Sequence, residues 1–214
     1  MRQLNMSIEE ISSYLKHPNP QDFLEISQNK IQAIDQQIQQ LQVLKQVFEQ
    51  RQQSLVRSAQ IHDSQIEVES FAAHHYLLTP MPVEDNPMRN MQQIMQHLQS
   101  AWEHSSYKAG CGSYISLEKA LQGQFDVYDG VFTPVDPQDD DSLFLLRPAG
   151  QYLCGYSVGS WDKLPELYSS MISYAKEHRF ALTGNCYEIG LNEFAISRPE
   201  EYVARISILI DPKQ

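Results

Sequence analysis

From Gln21 to Ser58 the chain contains neither glycine nor proline and is rich in glutamine and other good helix formers. That predicts a helix of about 36 residues, about 54 Å long at 1.5 Å per residue. With Leu24 at heptad position a, the successive a and d positions are Leu24, Ser27, Ile31, Ile34, Ile38, Leu41, Lys45, Phe48, Gln52 and Leu55, and seven of these ten are apolar. A stripe so long and narrow exceeds what one compact domain covers, so it predicts a partner helix, most simply from an identical chain. Ile31, Ile34, Ile38, Leu41 and Phe48 are the candidate dimerisation residues. A glutamine-rich stretch also fits a low-complexity spacer, but a spacer has no need of a regular Ile/Leu seam.

The flanks delimit this helix. Upstream, Ser7 with Glu10 three residues later, then Ile8, Ile11 and Leu15, forms a capping box before a short helix. Pro18 and Pro20 stop it near His17. Downstream, residues 60–64 form a hinge, after which the period changes from helical to alternating at Gln65-Ile66-Glu67-Val68-Glu69. Two segments follow: 1–59, and a second domain at 60–214.

The second domain repeats one order of elements. A strand around His75–Thr79 precedes a helix capped at Asn86-Pro87, with Met91, Ile94, Met95, Leu98 and Trp102 on one face. Strands are then expected at Gly112–Leu117, Phe125–Val135 and, briefly, Leu143–Leu146. A strand at Gln151–Val158 leads into a second helix bearing Leu164, Leu167, Met171, Ile172 and Tyr174, followed by strands Leu182–Leu191 and Tyr202–Ile210. Residues 110–115 can be laid over 183–188, matching Tyr114 to Tyr187 and Ile115 to Glu188. The expected fold is therefore α+β: a long coiled-coil helix, then a duplicated strand-helix-strand-strand unit whose two sheets flank a central groove.

Charge is unevenly divided. Of 16 basic and 27 acidic side chains, residues 1–60 hold six of each, so the whole formal charge of −11 falls on the remainder. Such a domain repels phosphate backbones and attracts cations, although acidity also serves solubility alone. No apolar run of about 18 residues and no signal-peptide core is present, which predicts a cytoplasmic protein without membrane contact. Cys111, Cys154 and Cys186 lack metal-ligand spacing and read as small buried hydrophobes. Asp139-Asp140-Asp141 reads as a solvated turn, so no metal is expected. Without GxGxxG, GxxxxGK[ST] or GxSxG there is no cue for a nucleotide, a cofactor or a serine nucleophile, and no enzyme is expected.

One residue stands out chemically. Glu188, within Cys186-Tyr187-Glu188-Ile189, falls inside an apolar strand where an ionised carboxylate needs a partner. Either a distant arginine, Arg147 or Arg205, satisfies it, or it awaits a cationic ligand. Tyr76, Tyr114, Tyr152, Tyr156 and Trp161 are candidate aromatic walls for cation–π contact, against the plainer reading that strand aromatics are core. Tyr187, on the other side of the same strand, is expected to be structural.

The segment Arg2-Gln3-Leu4-Asn5-Met6-Ser7-Ile8-Glu9-Glu10-Ile11, followed by Leu15 and the long helix, resembles the end of the MerR-family DNA-binding domain and its dimerisation helix, with Asn5 where that family usually has glycine. Tyr187-Glu188, then Pro199-Glu200-Glu201-Tyr202 and the strand around Arg205-Ile206-Ser207-Ile208, resembles the close of the GyrI-like effector-binding domain. Together the resemblances span nearly the whole chain. They imply the ligand-sensing and dimerising part of a transcription regulator, a homodimer with antiparallel helices, and a small apolar cation as effector, neutralised by Glu188. They also imply that the helix-turn-helix preceding Arg2 in that family is missing, so that DNA is reached only through an absent N-terminal domain. The competing readings are a stand-alone GyrI-like protein that binds a protein partner, and a small-molecule hydrolase using Glu188 as general base.

Overall fold

The computed structural model describes residues 7–81, 87–103, 110–135 and 144–212. The Asp139–Asp141 run and the Asn86 cap lie outside the described residues. By contacts the chain divides inside the long helix, into Met1–Phe48 and Glu49–Gln214.

In the first unit, α1 spans Ile8–Lys16 and α2 begins at Pro20, running to Ser58. The start of α2 is fixed by Asn19, whose Oδ1 accepts from the Asp22 amide at 2.8 Å while its Nδ2 donates to the Asp22 carboxylate at 2.6 Å. This closes an otherwise orphaned amide at the helix N-terminus. Tyr14 meets Phe23 with ring centroids 5.9 Å apart, joining α1 to the first turns of α2. The seam residues Ile31, Ile34, Ile38, Leu41 and Phe48 are 46% to 65% exposed.

The second unit is built on one sheet of eight strands among the described residues: β1 (Ile66–Phe71), β2 (His74–Pro80), β3 (Gly112–Ser116), β4 (Gly130–Val135), β5 (Phe144–Arg147), β6 (Gly150–Val158), β7 (Leu182–Gly190) and β8 (Val203–Ile210). The strand order is β1-β6-β8-β7-β3-β4-β2-β5, every pair antiparallel. Helices α3 (Pro87–Glu103) and α5 (Leu164–Glu177) lie on one face, with the short α4 (Leu117–Leu121) between β3 and β4.

The expected duplication is visible in this order. β2-α3-β3-β4 and β6-α5-β7-β8 are equivalent, and their second strands, β3 and β7, pair with each other. Tyr114 faces Tyr187, Ser113 faces Glu188 and Ile115 faces Cys186, the register of a two-fold passing between the two tyrosines. Here the expectation needs correction: the halves form one continuous sheet, not two. Joining β3 to β7 pairs backbone groups that two separate sheets would leave open at their edges.

A second correction concerns residues 117–129. In place of a strand beginning at Phe125, α4 and a loop precede β4. Asp129 ties that loop, accepting from the Ser116 amide at 2.6 Å and from Lys119 Nζ at 2.6 Å.

Two-residue links carry β1 to β2 and β5 to β6, although each crosses from one side of the sheet to the other. Three residue steps span at most about 11 Å, so the sheet curls until those corners meet. The core divides by face. Ile115, Leu153, Cys186, Ile206 and Ile208 pack under α5 with Leu167, Tyr168 and Met171, and Leu77 and Val135 pack under α3 with Ala101. Tyr76, Tyr114, Phe132, Tyr187, Tyr152, Cys154 and Tyr156 fill the other face.

Candidate functional site

Glu188 is fully buried, at 0% exposure, in the strand next to the pseudo-two-fold. Strand alternation turns it toward the helices while Tyr187 turns away. Its Oε1 accepts from Tyr168 Oη of α5 at 2.6 Å and its Oε2 from Tyr128 Oη at 3.0 Å. Phe125 stacks on Tyr168 at 5.1 Å and 11°, walling the pair of oxygens. Neither Arg147 nor Arg205 reaches this carboxylate, since both stand over aromatic rings of the opposite face. No ion pair to Glu188 is found among the described residues.

The two phenols supply hydrogen bonds but no charge. Burial accordingly dominates and pushes the Glu188 carboxyl up to about 7, with Tyr168 and Tyr128 pulling it partway back. The phenols respond in kind: burial, then the charge of Glu188, drives both upward. Burial thus opposes ionisation of this carboxyl, and among the described residues no cation offsets it.

A cleft of about 370 Å³ opens on the same side, lined by Gly159, Ser160, Trp161, Ile196, Ser197, Arg198, Pro199 and Tyr202. Trp161 and Tyr202 have ring centroids 5.4 Å apart. Tyr202 connects the cleft with the carboxylates: burial first, then Glu193 and Glu188, raises its phenol. Gly190, two residues along β7 from Glu188, makes this possible. A Cβ there would strike Tyr202 Oη and lie 2.8 Å from Glu193 Oε2. Glu193 is a second carboxylate here, exposed on its solvent side; partial burial raises its titration and Arg51 partly lowers it.

Of the residues singled out from sequence, Glu188 and Trp161 lie on this side. Tyr76, Tyr114, Tyr152 and Tyr156 do not: they occupy the opposite face, Tyr76 against Phe132 at 4.8 Å and Tyr187 at 5.2 Å, and Tyr152 against Phe71 at 5.4 Å. Tyr128, Tyr168, Tyr202 and Glu193 were not anticipated around Glu188. Tyr168 had a signal, because it shares the apolar stripe of Leu164, Leu167 and Met171 at helical spacing. Tyr128 had none, being placed by a loop.

Comparison with known proteins accords with this architecture. Residues 72–211 match the family model of the GyrI-like small molecule binding domain. Residues 1–50 match the model described as MerR, DNA binding. The expectation that DNA contact depends on an absent domain is thereby corrected: a MerR DNA-binding region is present within this chain. The multidrug-efflux transporter 2 regulator of Bacillus subtilis (strain 168) is 20% identical over 213 residues, covering 98% of this chain and 77% of that protein. Among solved structures, EcmrR in a cryo-EM EcmrR–DNA complex aligns with a TM-score of 0.51 at 14% identity, over 98% of this chain and 79% of that one. The crystal structure of the EcmrR C-terminal domain aligns with a TM-score of 0.50 at 12% identity, over 69% of this chain and 98% of that one. With a GyrI-like fold over most of its length, a long helix ahead of it and a MerR DNA-binding region at its start, the chain belongs to the MerR-type transcription regulators with a C-terminal GyrI-like small molecule binding domain.

Proposed function

We propose that the effector of this regulator is a small apolar cation bound beside Glu188, and that it is sensed by a homodimer joined through α2. The observation that carries the first part is the buried, uncompensated Glu188 carboxylate held by two neutral phenols. An ionised carboxylate in low dielectric is expensive, and a desolvated cation beside it removes that penalty and gains contact with aromatic rings. Trp161 and Tyr202 at the cleft, with Tyr128, Tyr168 and Phe125 deeper, supply such rings. Tyr76, Tyr114, Tyr152 and Tyr156 support the sheet from behind in this reading. The similar Bacillus protein is a regulator of a multidrug-efflux transporter, which fits a pocket reading charge and greasiness more than shape.

The second part rests on the exposed seam of α2. Its 39 residues extend about 58 Å, and an apolar stripe of that length in water is stabilised by a second copy laid along it. DNA is contacted through the region at residues 1–50, so α2 links the DNA-contacting end of the chain to the ligand-binding end.

A thermal-shift screen of matched cationic and neutral aromatic compounds on the native protein and Glu188→Gln tests the effector assignment. The cations should raise the melting temperature of the native protein and not that of the variant, while neutral compounds act alike on both. Equal shifts in both proteins across the cationic set contradict the assignment.

A further inference from the structure

The sheet face opposite the helices contains two cations that no carboxylate among the described residues neutralises. Arg147, at the end of β5, is 6% exposed. Its Cζ lies 4.7 Å from the ring centroid of Phe71, 4.9 Å from Tyr152 and 5.4 Å from Tyr76. Nη2 donates to the Ala72 carbonyl at 3.2 Å, whereas Nε has no hydrogen-bond partner. Arg205 of β8 stands over the same Phe71 ring, 4.9 Å from its centroid, and its buried Nε is also unpartnered. Sharing one ring puts the two guanidinium carbons within about 10 Å of each other. Glu69, paired with Tyr152 on this face, is already engaged by Tyr156 Oη and by Arg57 at 3.3 Å. Among the described residues neither Arg147 nor Arg205 forms an ion pair.

A buried guanidinium without a counter-charge is costly, and ring contacts offset only part of its desolvation. Each Nε–H is an in-plane donor of the fork that arginine presents to oxyanions. We propose that Arg147 and Arg205 form a binding site for a small carboxylate on this face, which takes up the unpartnered donors and neutralises one of two neighbouring positive charges. A monoanionic carboxylate suits the site better than a phosphate dianion. The surroundings, Phe71, Ile189 and Leu209, are apolar, and a dianion sheds more hydration to enter them. Arg205, less buried than Arg147, offers the approach from solvent. The site lies behind the cation site across the same strands: Arg205 is paired with Ile189, next to Glu188. It is independent of the effector assignment.

The test uses the full chain at constant ionic strength, with chloride exchanged for acetate or benzoate and, in a separate arm, for inorganic phosphate. Acetate and benzoate should raise the melting temperature saturably, with phosphate weaker. Arg205→Gln should weaken the apparent carboxylate affinity about tenfold, the effect of losing one charged hydrogen-bond partner, and leave tetraphenylphosphonium binding unchanged. Saturation-transfer NMR on the native protein gives a readout free of any folding defect: irradiating aromatic protons should transfer signal to the acetate methyl. Absence of a saturable shift or of transfer, an equal carboxylate response in Arg205→Gln, or tighter binding of phosphate than of carboxylate overturns the proposal.

Discussion

At the scale of single residues, two buried titratable groups pull stability in opposite directions with pH. Glu188 has a folded-state value of about 7 against an ordinary 4.5, so the folded protein binds the extra proton and stability falls as pH rises from 4.5 through 7. The difference amounts to roughly 3 kcal/mol. Glu188→Gln removes it: the variant should melt well above the native protein at pH 8 in the absence of ligand, and close to it at pH 5, by differential scanning calorimetry. His97 has the reverse sign. Enclosed between Thr79 at 2.7 Å and Thr133 at 2.9 Å, its imidazole is lowered by burial to about 4. That stability is present above about 6.5 and lost as pH falls through 4, so Glu188→Gln should show an uninterrupted decline on acidification where the native curve is flattened. Tyr168→Phe deletes the shorter of the two hydrogen bonds to Glu188. It should raise the Glu188 titration further and weaken cation binding at pH 7 by about 1 kcal/mol, measured by calorimetry. Glu188 was legible in the sequence because a carboxylate in an apolar strand contradicts its surroundings. Of the two readings left open for it, an arginine partner or a cationic ligand, the geometry removes the first, because β-strand alternation sends Arg205 to the other face. The phenols that do contact it come from α5 and from the loop before β4, which no local pattern brings together.

At the scale of elements, what repeats in sequence repeats in space. The apolar period of 3.5 gave α2 with its bounds within a residue or two, since a glycine- and proline-free segment between Pro20 and the hinge has no competing conformation. The strand-helix-strand-strand order was equally legible, and the overlay of Tyr114 on Tyr187 became a cross-strand pair. Strand order was not, because it depends on which edges find each other after each half has formed. The separation of Tyr76, Tyr114, Tyr152 and Tyr156 from Glu188 was not legible for the same reason: alternation tells which side chains share a face, not which face the helices cover. Arg57, near the end of α2, joins Glu67 at 2.5 Å, Glu69 at 3.3 Å and Tyr156 Oη at 3.1 Å. Half-exposed ion pairs of this kind contribute little stability, so Arg57→Ala should lower overall stability by no more than about 1 kcal/mol. Its effect should appear instead as faster amide exchange in the last turns of α2, followed by mass spectrometry. Unchanged exchange there contradicts a clamp at this joint.

At the scale of the whole molecule, the proposal requires two copies. Replacing Ile34 and Ile38 together by aspartate puts charge into the centre of the seam. Light scattering should then give the mass of one chain, 24.6 kDa, where the native protein gives twice that, while cation binding persists because the GyrI-like fold holds its own core. A native monomer at micromolar concentration sinks the dimer. The acidity of residues 61–214 belongs to this scale too, since a negative domain draws cations toward its clefts and leaves DNA contact to the balanced N-terminal segment. The most direct measurement of the central claim is the affinity of tetraphenylphosphonium between pH 5.5 and 8.5, by titration calorimetry on the native protein and Glu188→Gln. Native affinity should rise with pH and level off above about 7 as Glu188 ionises, and the variant should bind more weakly by about 2 to 3 kcal/mol at pH 8 with no such rise. Equal affinities for the two proteins at pH 8, or the same pH dependence in both, would contradict Glu188 as the counter-charge.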